Sequence, residues 1–169
     1  MLLSFRTKYH FGYPYNLKFE HEELFPFLRF SINNLGDPFV ESNYGVHSRM
    51  FEIEVLEFYA ALWKIKRNEF FGYVTCSGTE GNLHGLYVGR ECLNNPILYS
   101  SVESHYSVFK AARFYKIDLV PIPTLKTGEI NYEVFETELK KNLDRDVLLN
   151  ANVGTTMKGK KKKKNYNSE

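Results

Sequence analysis

The 169-residue chain is long enough to bury one sizeable hydrophobic core, so a single domain is the starting expectation. Its 43% hydrophobic and 16% aromatic residues are typical of a globular protein, and no apolar run approaches the roughly 20 residues that span a bilayer. The formal net charge of +2 includes the run Lys160–Lys164, and without those five lysines it falls to −3. The rest of the chain therefore lacks the basic surface on which nucleic-acid binding depends.

The cysteine content and the first six residues indicate the cellular compartment. Cys76 and Cys92 are the only cysteines, too few for a disulfide framework or a cysteine-rich zinc site, and no metal site is predicted. Residues 1–6 do not form a basic segment followed by a long apolar stretch, the pattern of a secretory signal. The sequence predicts a reduced, cytoplasmic protein with no membrane segment.

The predicted elements begin with a segment of weak periodicity. Residues 1–50 are rich in aromatic residues and in Gly, Pro, Asn and Asp clusters, which favour turns over long elements. From residue 51 onward, apolar residues recur at three- and four-residue spacing, and this pattern predicts an amphipathic helix over about residues 47–66.

Strands and helices then alternate along the chain. Apolar runs predict strands over residues 70–75, 97–101, 118–122 and 147–152, and helical spacing predicts helices over residues 79–93, 105–116 and 131–142. This alternation implies right-handed βαβ crossovers, and hence an α/β fold with a mostly parallel sheet and flanking helices. We expect three parts: a loop-rich segment over residues 1–50, a partial large domain over 51–159 and a Lys-rich tail over 160–169.

A turn with two glycines joins the first predicted strand to the next helix. Gly78 and Gly81 would let the backbone approach a phosphate closely, and Ser77 and Thr79 could donate hydroxyl hydrogen bonds. The first N–H groups of a helix have no partner within the helix, and the helix dipole adds partial positive charge there. The turn is a candidate phosphate site; the alternative is an ordinary strand-to-helix turn with Thr79 as the N-cap.

Among the five histidines, His105 has the most informative position. It lies between a predicted strand and the next helix, at the sheet edge where parallel α/β proteins bind ligands. We expect it to share that edge with residues 77–82 and 152–156, although it could simply be a polar residue at a helix start. His10, His21 and His84 are interpreted as surface or partly satisfied residues, and His47 as a cap or loop contact before a helix.

Six motifs in order carry a family resemblance. They are Gly12–Leu17 (GYPYNL), Asn33–Phe39 (NNLGDPF), Ser42–Arg49 (SNYGVHSR), Gly78–Gly85 (GTEGNLHG), Ser104–Arg113 (SHYSVFKAAR) and Asn152–Thr156 (NVGTT). Over about residues 7–159, the chain resembles the group II pyridoxal-phosphate-dependent amino-acid decarboxylases, in the branch of plant serine decarboxylases and related histidine decarboxylases.

This resemblance implies part of the large domain of a fold-type I transferase-like enzyme, which binds pyridoxal phosphate (PLP) near a homodimer interface and acts on an amino acid. It places Gly78 and Thr79 at the cofactor phosphate and Asn82 in the same turn. His105 matches the histidine that stacks on the cofactor ring and contacts substrate, which makes it the catalytic and substrate-binding candidate. Thr155 matches a polar residue near the cofactor. The segment around His47 is expected near the site mouth or interface, and the Cys76-Ser77 pair departs from the family pattern.

The family's cofactor-binding lysine and its ring-nitrogen aspartate lie beyond the Asn-x-Gly-Thr-Thr motif. None of Lys158 and Lys160–Lys164 has the family's Ser-x-His-Lys context, so the chain is expected to be a truncated copy of an enzyme that forms ethanolamine from serine, inactive alone. The incomplete sheet predicts marginal stability, poor solubility or dependence on a partner.

The sequence leaves two other functions open and disfavours a third. Histidine decarboxylation is the enzymatic alternative, and a non-catalytic module that pairs with a full-length relative is the alternative from another class. A dinucleotide-binding domain is disfavoured because no G-x-G-x-x-G follows the first predicted strand.

Overall fold

A computed structural model describes residues 2–9, 20–29, 36–41 and 47–155. By internal contacts, the chain forms two compact units, Met1–Val74 and Thr75–Glu169. Several sequence predictions lie outside the described residues, namely the motif at 12–17, residues 33–35 and 42–46 of the next two motifs, His10, Thr156 and the Lys-rich tail. The three-part division of the chain stays a prediction.

The first unit is helical in its described parts. It contains α1 (Leu2–Lys8), a 3₁₀ helix (Glu22–Arg29), α2 (Arg49–Trp63) and a second 3₁₀ helix (Arg67–Glu69). Helix α2 is shorter than the predicted 47–66, because Lys64 adopts the left-handed conformation (φ 59°) and the Ile65 N–H donates to the Ala60 carbonyl at 2.9 Å. This bond closes the last turn and ends the helix.

The apolar stripe predicted for α2 is largely exposed. Phe58 and Leu62 are 65% and 63% exposed, and Trp63 on the same helix is 65% exposed. Within α2, only Ala60 and Arg49 are buried. The helical periodicity was therefore predicted correctly, and the apolar stripe that it defines is largely exposed.

The strand predicted over residues 70–75 is wrong. Phe70 has extended dihedrals (φ −140°, ψ 152°), but residues 70–75 join no described sheet. The Val74 N–H donates instead to the Glu52 Oε1 atom at 2.8 Å. A strand exists only when its backbone groups pair with a neighbouring strand, and apolar character alone does not supply that neighbour.

The second unit has the predicted α/β alternation. Its elements are α3 (Gly78–Cys92), β1 (Ile97–Ser101), α4 (Tyr106–Tyr115), β2 (Asp118–Ile122), α5 (Tyr132–Lys140) and β3 (Val147–Asn150). The three strands form a parallel sheet in the order β2-β1-β3, in which Ile97 pairs with Asp118 on one side and Val147 on the other. Each element lies within two residues of its predicted bounds.

Strand β1 is the centre of this unit, and all five of its residues are buried. Successive side chains of a strand point to opposite faces of the sheet. On one face, Leu98 packs in a cluster with Leu86 of α3, with Val108, Ala111 and Ala112 of α4, and with Ile117 just before β2. On the other face, Ile97, Tyr99 and Ile122 pack against Phe135 and Leu139 of α5. Helices thus cover both faces of the sheet, as a parallel sheet requires.

The guanidinium group of Arg145 connects the N-terminal ends of the strands. Arg145 donates from Nη1 to Asp118 Oδ2 at 2.7 Å, from Nε to the Asn95 carbonyl at 3.0 Å and from Nη2 to the Pro96 carbonyl at 3.3 Å. These bonds join the segments that lead into all three strands. In the described ranges, no helix has both the length and the apolar character needed to cross a bilayer.

Two glycines of α3 give a matched test of how this helix packs. A Cβ atom at Gly85 would meet nothing within 4 Å, whereas one at Gly89 would lie 2.5 Å from Leu148 Cδ1 of β3. We expect Gly85→Ala to raise the free energy of unfolding by about 0.5–1 kcal/mol through helix propensity. Gly89→Ala should leave the protein less stable than Gly85→Ala by about 1–3 kcal/mol, because Leu148 must move.

Urea denaturation of both variants beside the parent chain measures these differences. Equal stabilisation by the two alanines would contradict the close packing of α3 on β3.

Candidate functional site

The N-terminus of α3 is capped by Ser77. The Ser77 hydroxyl accepts a hydrogen bond from the Glu80 N–H at 3.4 Å, and the Ser77 carbonyl accepts one from the Gly81 N–H at 3.1 Å. The N-cap is therefore Ser77 and not Thr79, which lies in the first turn. The cap accounts for Ser77 in the unusual Cys76-Ser77 pair.

Gly78 is the more open of the two glycines in this turn. A Cβ atom at Gly78 would meet nothing within 4 Å, whereas one at Gly81 would contact Thr75 Oγ1 at 3.7 Å. The N–H groups of Gly78 and Thr79 are the first two of the helix, where no partner within the helix is geometrically available. An anion can therefore approach the backbone at Gly78 without a side chain in its way.

A carboxylate already lies close to this helix start. Glu80 Oε2 accepts a hydrogen bond from the Cys76 N–H at 2.7 Å. Hydrogen bonds from the Cys76 side chain, and then from its backbone, lower the pKa of Glu80, and the nearby charge of His84 lowers it further. The same side-chain hydrogen bond to Glu80, followed by the repulsion of its charge, raises the pKa of the Cys76 thiol.

The sign of the Glu80 effect follows from the direction of its shift. Because its pKa is lowered in the folded protein, the stabilisation by this carboxylate is present above the pKa of an unfolded glutamate. It is lost as the pH falls through the folded-state pKa. The carboxylate is therefore charged at neutral pH.

His105 caps the next helix, α4. Its Nδ1 atom accepts a hydrogen bond from the Ser107 N–H at 3.3 Å and lies 2.8 Å from Ser107 Oγ. The half-buried ring is centred 4.3 Å from the ring of Tyr106. His105 is thus a polar residue at a helix start, one of the two interpretations that the sequence allowed. The start of α4 holds its Nδ1 atom.

Asn82 connects the second turn of α3 to the first turn of α4. Its Nδ2 atom donates to Ser107 Oγ at 2.8 Å. The structure therefore brings two of the sequence-predicted residues, Asn82 and His105, together through Ser107. No role was predicted for Ser107, which belongs to the motif at 104–113. Its position two residues after a candidate histidine at a helix start was a signal that could have indicated contact with that ring.

A second polar cluster lies at the ends of β1 and β3. Ser104 Oγ accepts hydrogen bonds from Asn152 Nδ2 at 2.8 Å and from Asn150 Nδ2 at 3.3 Å, and it lies 2.8 Å from Ser100 Oγ. Asn150 Nδ2 also lies 3.2 Å from Ser100 Oγ. This cluster holds the segment that leads directly into His105, and sequence reasoning assigned no function to these side chains.

Thr155 lies in a cleft that is separate from the hydrogen bonds around His105. It borders a cleft of about 350 Å³ together with the ends of β1 and β3 and the residues before α5. The described residues that line this cleft do not include His105. Thr155 and His105 therefore share an edge of the sheet, as predicted, while bordering different surfaces.

The remaining predicted positions are peripheral or exposed. His47 is exposed and precedes Ser48, the N-cap position of α2, and His84 is exposed on α3. Within the described ranges, no three His, Cys, Asp or Glu side chains are grouped so that they could share a metal ion.

Comparison with solved structures defines the fold class. The chain aligns with the crystal structure of L-methionine decarboxylase from Streptomyces sp. 590 with a TM-score of 0.82 at 23% identity, over 94% of this chain and 42% of that one. The predicted fold class is confirmed: the chain has part of the large α/β domain of the PLP-dependent decarboxylase fold.

Comparison with curated proteins gives the relationship. The chain is 58% identical to serine decarboxylase 1 of rice over 154 residues and 50% identical to the histidine decarboxylase of tomato over 159 residues. It is a homologue of these plant decarboxylases, and the resemblance predicted from its motifs is confirmed. The matches cover 91% and 93% of this chain but only 32% and 38% of the relatives, so the chain spans about a third of their length. No protein-family model matches it.

The Cys76–Glu80 pair yields a prediction about thiol reactivity. Replacing the carboxylate in Glu80→Gln should lower the pKa of Cys76, raise its thiolate fraction at a fixed, mildly alkaline pH and speed its alkylation. We expect faster alkylation of Cys76 in the variant, because the thiolate is the reactive form.

Mass spectrometry after timed iodoacetamide treatment measures the rate at each cysteine. Cys92, exposed at the other end of α3, is an internal control whose rate should not change. An unchanged or slower reaction at Cys76 would show that Glu80 does not control this thiol.

Proposed function

We propose that this chain provides the first part of the cofactor domain of a PLP-dependent amino-acid decarboxylase, with serine as the substrate. The observation that carries the proposal is the 58% identity to rice serine decarboxylase 1 over nine-tenths of the chain. Histidine is the second candidate substrate because the tomato histidine decarboxylase is 50% identical over a similar span.

The residues present fit the cofactor. Open space beside Gly78 and the first N–H groups of α3 suit a phosphate group, and Glu80 occupies a different amide, that of Cys76. In this proposal Gly78 and Thr79 hold the phosphate and Asn82 supports the same region from the second turn of α3. Thr155 is proposed as a further cofactor contact from the neighbouring cleft at the ends of β1 and β3. PLP, when bound, supplies an electron sink for the bond pair released as CO₂ leaves.

His105 is proposed as the catalytic residue. Its imidazole is held from one side by the start of α4 and is half-buried, so its orientation is set before any ligand binds. A fixed ring contributes a stacking face and one nitrogen for hydrogen bonding or proton transfer to the substrate. The Ser100–Ser104–Asn150–Asn152 cluster keeps the preceding segment in place.

A homodimer in the cytoplasm is part of the proposal. The exposed apolar side chains of α2, including Phe58, Leu62 and Trp63, are consistent with a surface covered by another subunit. The alternative from another class, a non-catalytic module that pairs with a full-length relative, would use the same exposed face.

The isolated 169-residue chain should not decarboxylate amino acids. The sequence contains no lysine in the family's Ser-x-His-Lys context. Purified chain incubated with PLP and either serine or histidine is expected to release no CO₂ above a protein-free blank. Turnover that persists through re-purification would contradict this expectation.

A chimaera tests the function directly. The residues of this chain that align with rice serine decarboxylase 1 would replace the corresponding third of that enzyme, and the same exchange would be made in tomato histidine decarboxylase. We expect the rice chimaera to release CO₂ from serine. In that chimaera, His105→Gln should lower kcat by about 10²–10⁴-fold, because it removes the proton-transfer group.

Thr79→Ala in the same chimaera should mainly weaken PLP retention, by about 1–3 kcal/mol for one lost phosphate bond. Thr137→Ala is the matched control, since it removes a hydroxyl on the exposed face of α5 that donates to the Glu133 carbonyl at 2.8 Å. A folded, PLP-loaded chimaera without turnover would contradict the proposed function, and a preference for histidine in both hosts would reassign the substrate.

A further inference from the structure

The hydrogen bonds around His105 have only one consistent arrangement of protons. The Ser107 backbone N–H can only donate, and it points at Nδ1 of His105 at 3.3 Å. In the neutral ring, Nδ1 must therefore be the unprotonated acceptor, and the proton resides on Nε2.

The position of the Ser107 hydroxyl proton follows from that assignment. Ser107 Oγ lies 2.8 Å from Nδ1, a distance at which two acceptors would repel each other, so the hydroxyl must donate to the ring. With its proton used in this way, Ser107 Oγ can only accept from its remaining neighbour. Asn82 meets this need, since its Nδ2 atom donates to Ser107 Oγ at 2.8 Å.

We propose that Asn82 and Ser107 form a relay that sets the tautomer of His105, with hydrogen bonds running in one direction from Asn82 Nδ2 through Ser107 Oγ to Nδ1. Ser107 is buried and Asn82 is half-buried, so water does not readily replace either bond. Asn82 and Ser107 are positioning residues, and they act through the histidine.

The functional meaning of this relay rests on the proposed decarboxylase function. With Nδ1 occupied by the start of α4, Nε2–H is the group that His105 offers to a substrate, as a donor. The relay also makes the protonation of this ring depend on α3, the same helix whose first turn is the proposed phosphate site. The position of α3, whose start is the proposed phosphate site, and the position of the proton on His105 are then linked through Asn82 and Ser107.

The test is the histidine tautomer in the chain itself, without cofactor or substrate. Nitrogen-15 NMR distinguishes the two ring nitrogens, because a protonated imidazole nitrogen resonates far from an unprotonated one. The folded fraction of the ¹⁵N-histidine-labelled chain is isolated by size-exclusion chromatography and measured in buffer alkaline enough for imidazole to be neutral. The signal that disappears in His105→Gln identifies His105 among the five histidines.

We expect the native ring to carry its proton on Nε2. Ser107→Ala should change the tautomer ratio toward Nδ1–H by roughly fivefold, the loss of one ordinary hydrogen bond. Ser107→Thr, which keeps the hydroxyl, should restore the native ratio. Asn82→Asp should shift the ratio furthest, because the carboxylate accepts the Ser107 proton and reverses the relay.

Thr137→Ala, which removes a hydroxyl far from the relay, should leave the ratio unchanged. A native ring protonated on Nδ1, or an Asn82→Asp ratio equal to the native one, would overturn the proposal. If Ser107→Ala does not fold, the native, Ser107→Thr and Asn82→Asp spectra still decide the question. Because no turnover is measured, failure of the relay leaves the decarboxylase proposal standing, and an inactive chimaera leaves the tautomer result standing.

Discussion

The central position of β1 is the constraint on which the second unit depends. This strand pairs on both edges and is covered on both faces, so none of its polar groups can rely on solvent. Its apolar residues come first in the strand, and its last two residues are serines. Ser100 therefore needs partners from the protein, and it finds them in Ser104 and Asn150.

This requirement extends from packing to chemistry. Ser104, which the buried cluster holds, directly precedes His105, and His105 in turn caps α4. The orientation of one imidazole is thus fixed by hydrogen bonds that begin inside the sheet on one side and at Asn82 of α3 on the other. Satisfying buried polar groups and preorganising a reactive group are achieved by the same side chains.

The predictable part of the fold was the part with local signals. Strand β1 is an apolar run between turn residues, and α3 and α4 have clear starts, so their bounds were predicted closely. Residues 70–75 have a comparable apolar run, but whether it becomes a strand depends on a neighbour that the run itself does not specify. For the same reason, the apolar face of α2 was recognised as a periodic pattern while its exposure was not.

The candidate site was likewise only partly predictable from the sequence. His105 and Asn82 could be selected from motif and position, and the structure joins them. Ser107 and the polar cluster could not be given roles, because these depend on distances between residues that lie 25 to 50 positions apart in the chain. Glu80 was also missed as a neighbour of the helix start, since its bond to the Cys76 N–H requires the side chain to fold back over the cap.

The lengths of the two connections to β1 favour one sequence of assembly. Ile97 pairs with Asp118, 21 residues away, and with Val147, 50 residues away. Loop-closure entropy makes the longer connection costlier by on the order of 0.8 kcal/mol. On a ribosome, β1 and β2 can pair through α4 well before β3 has emerged. The Arg145 guanidinium group and Asn150 come with that last strand. In a sheet of β1 and β2 alone, Ser100 and Ser104 lack their asparagine partners, so β3 completes both the sheet and the scaffold behind His105.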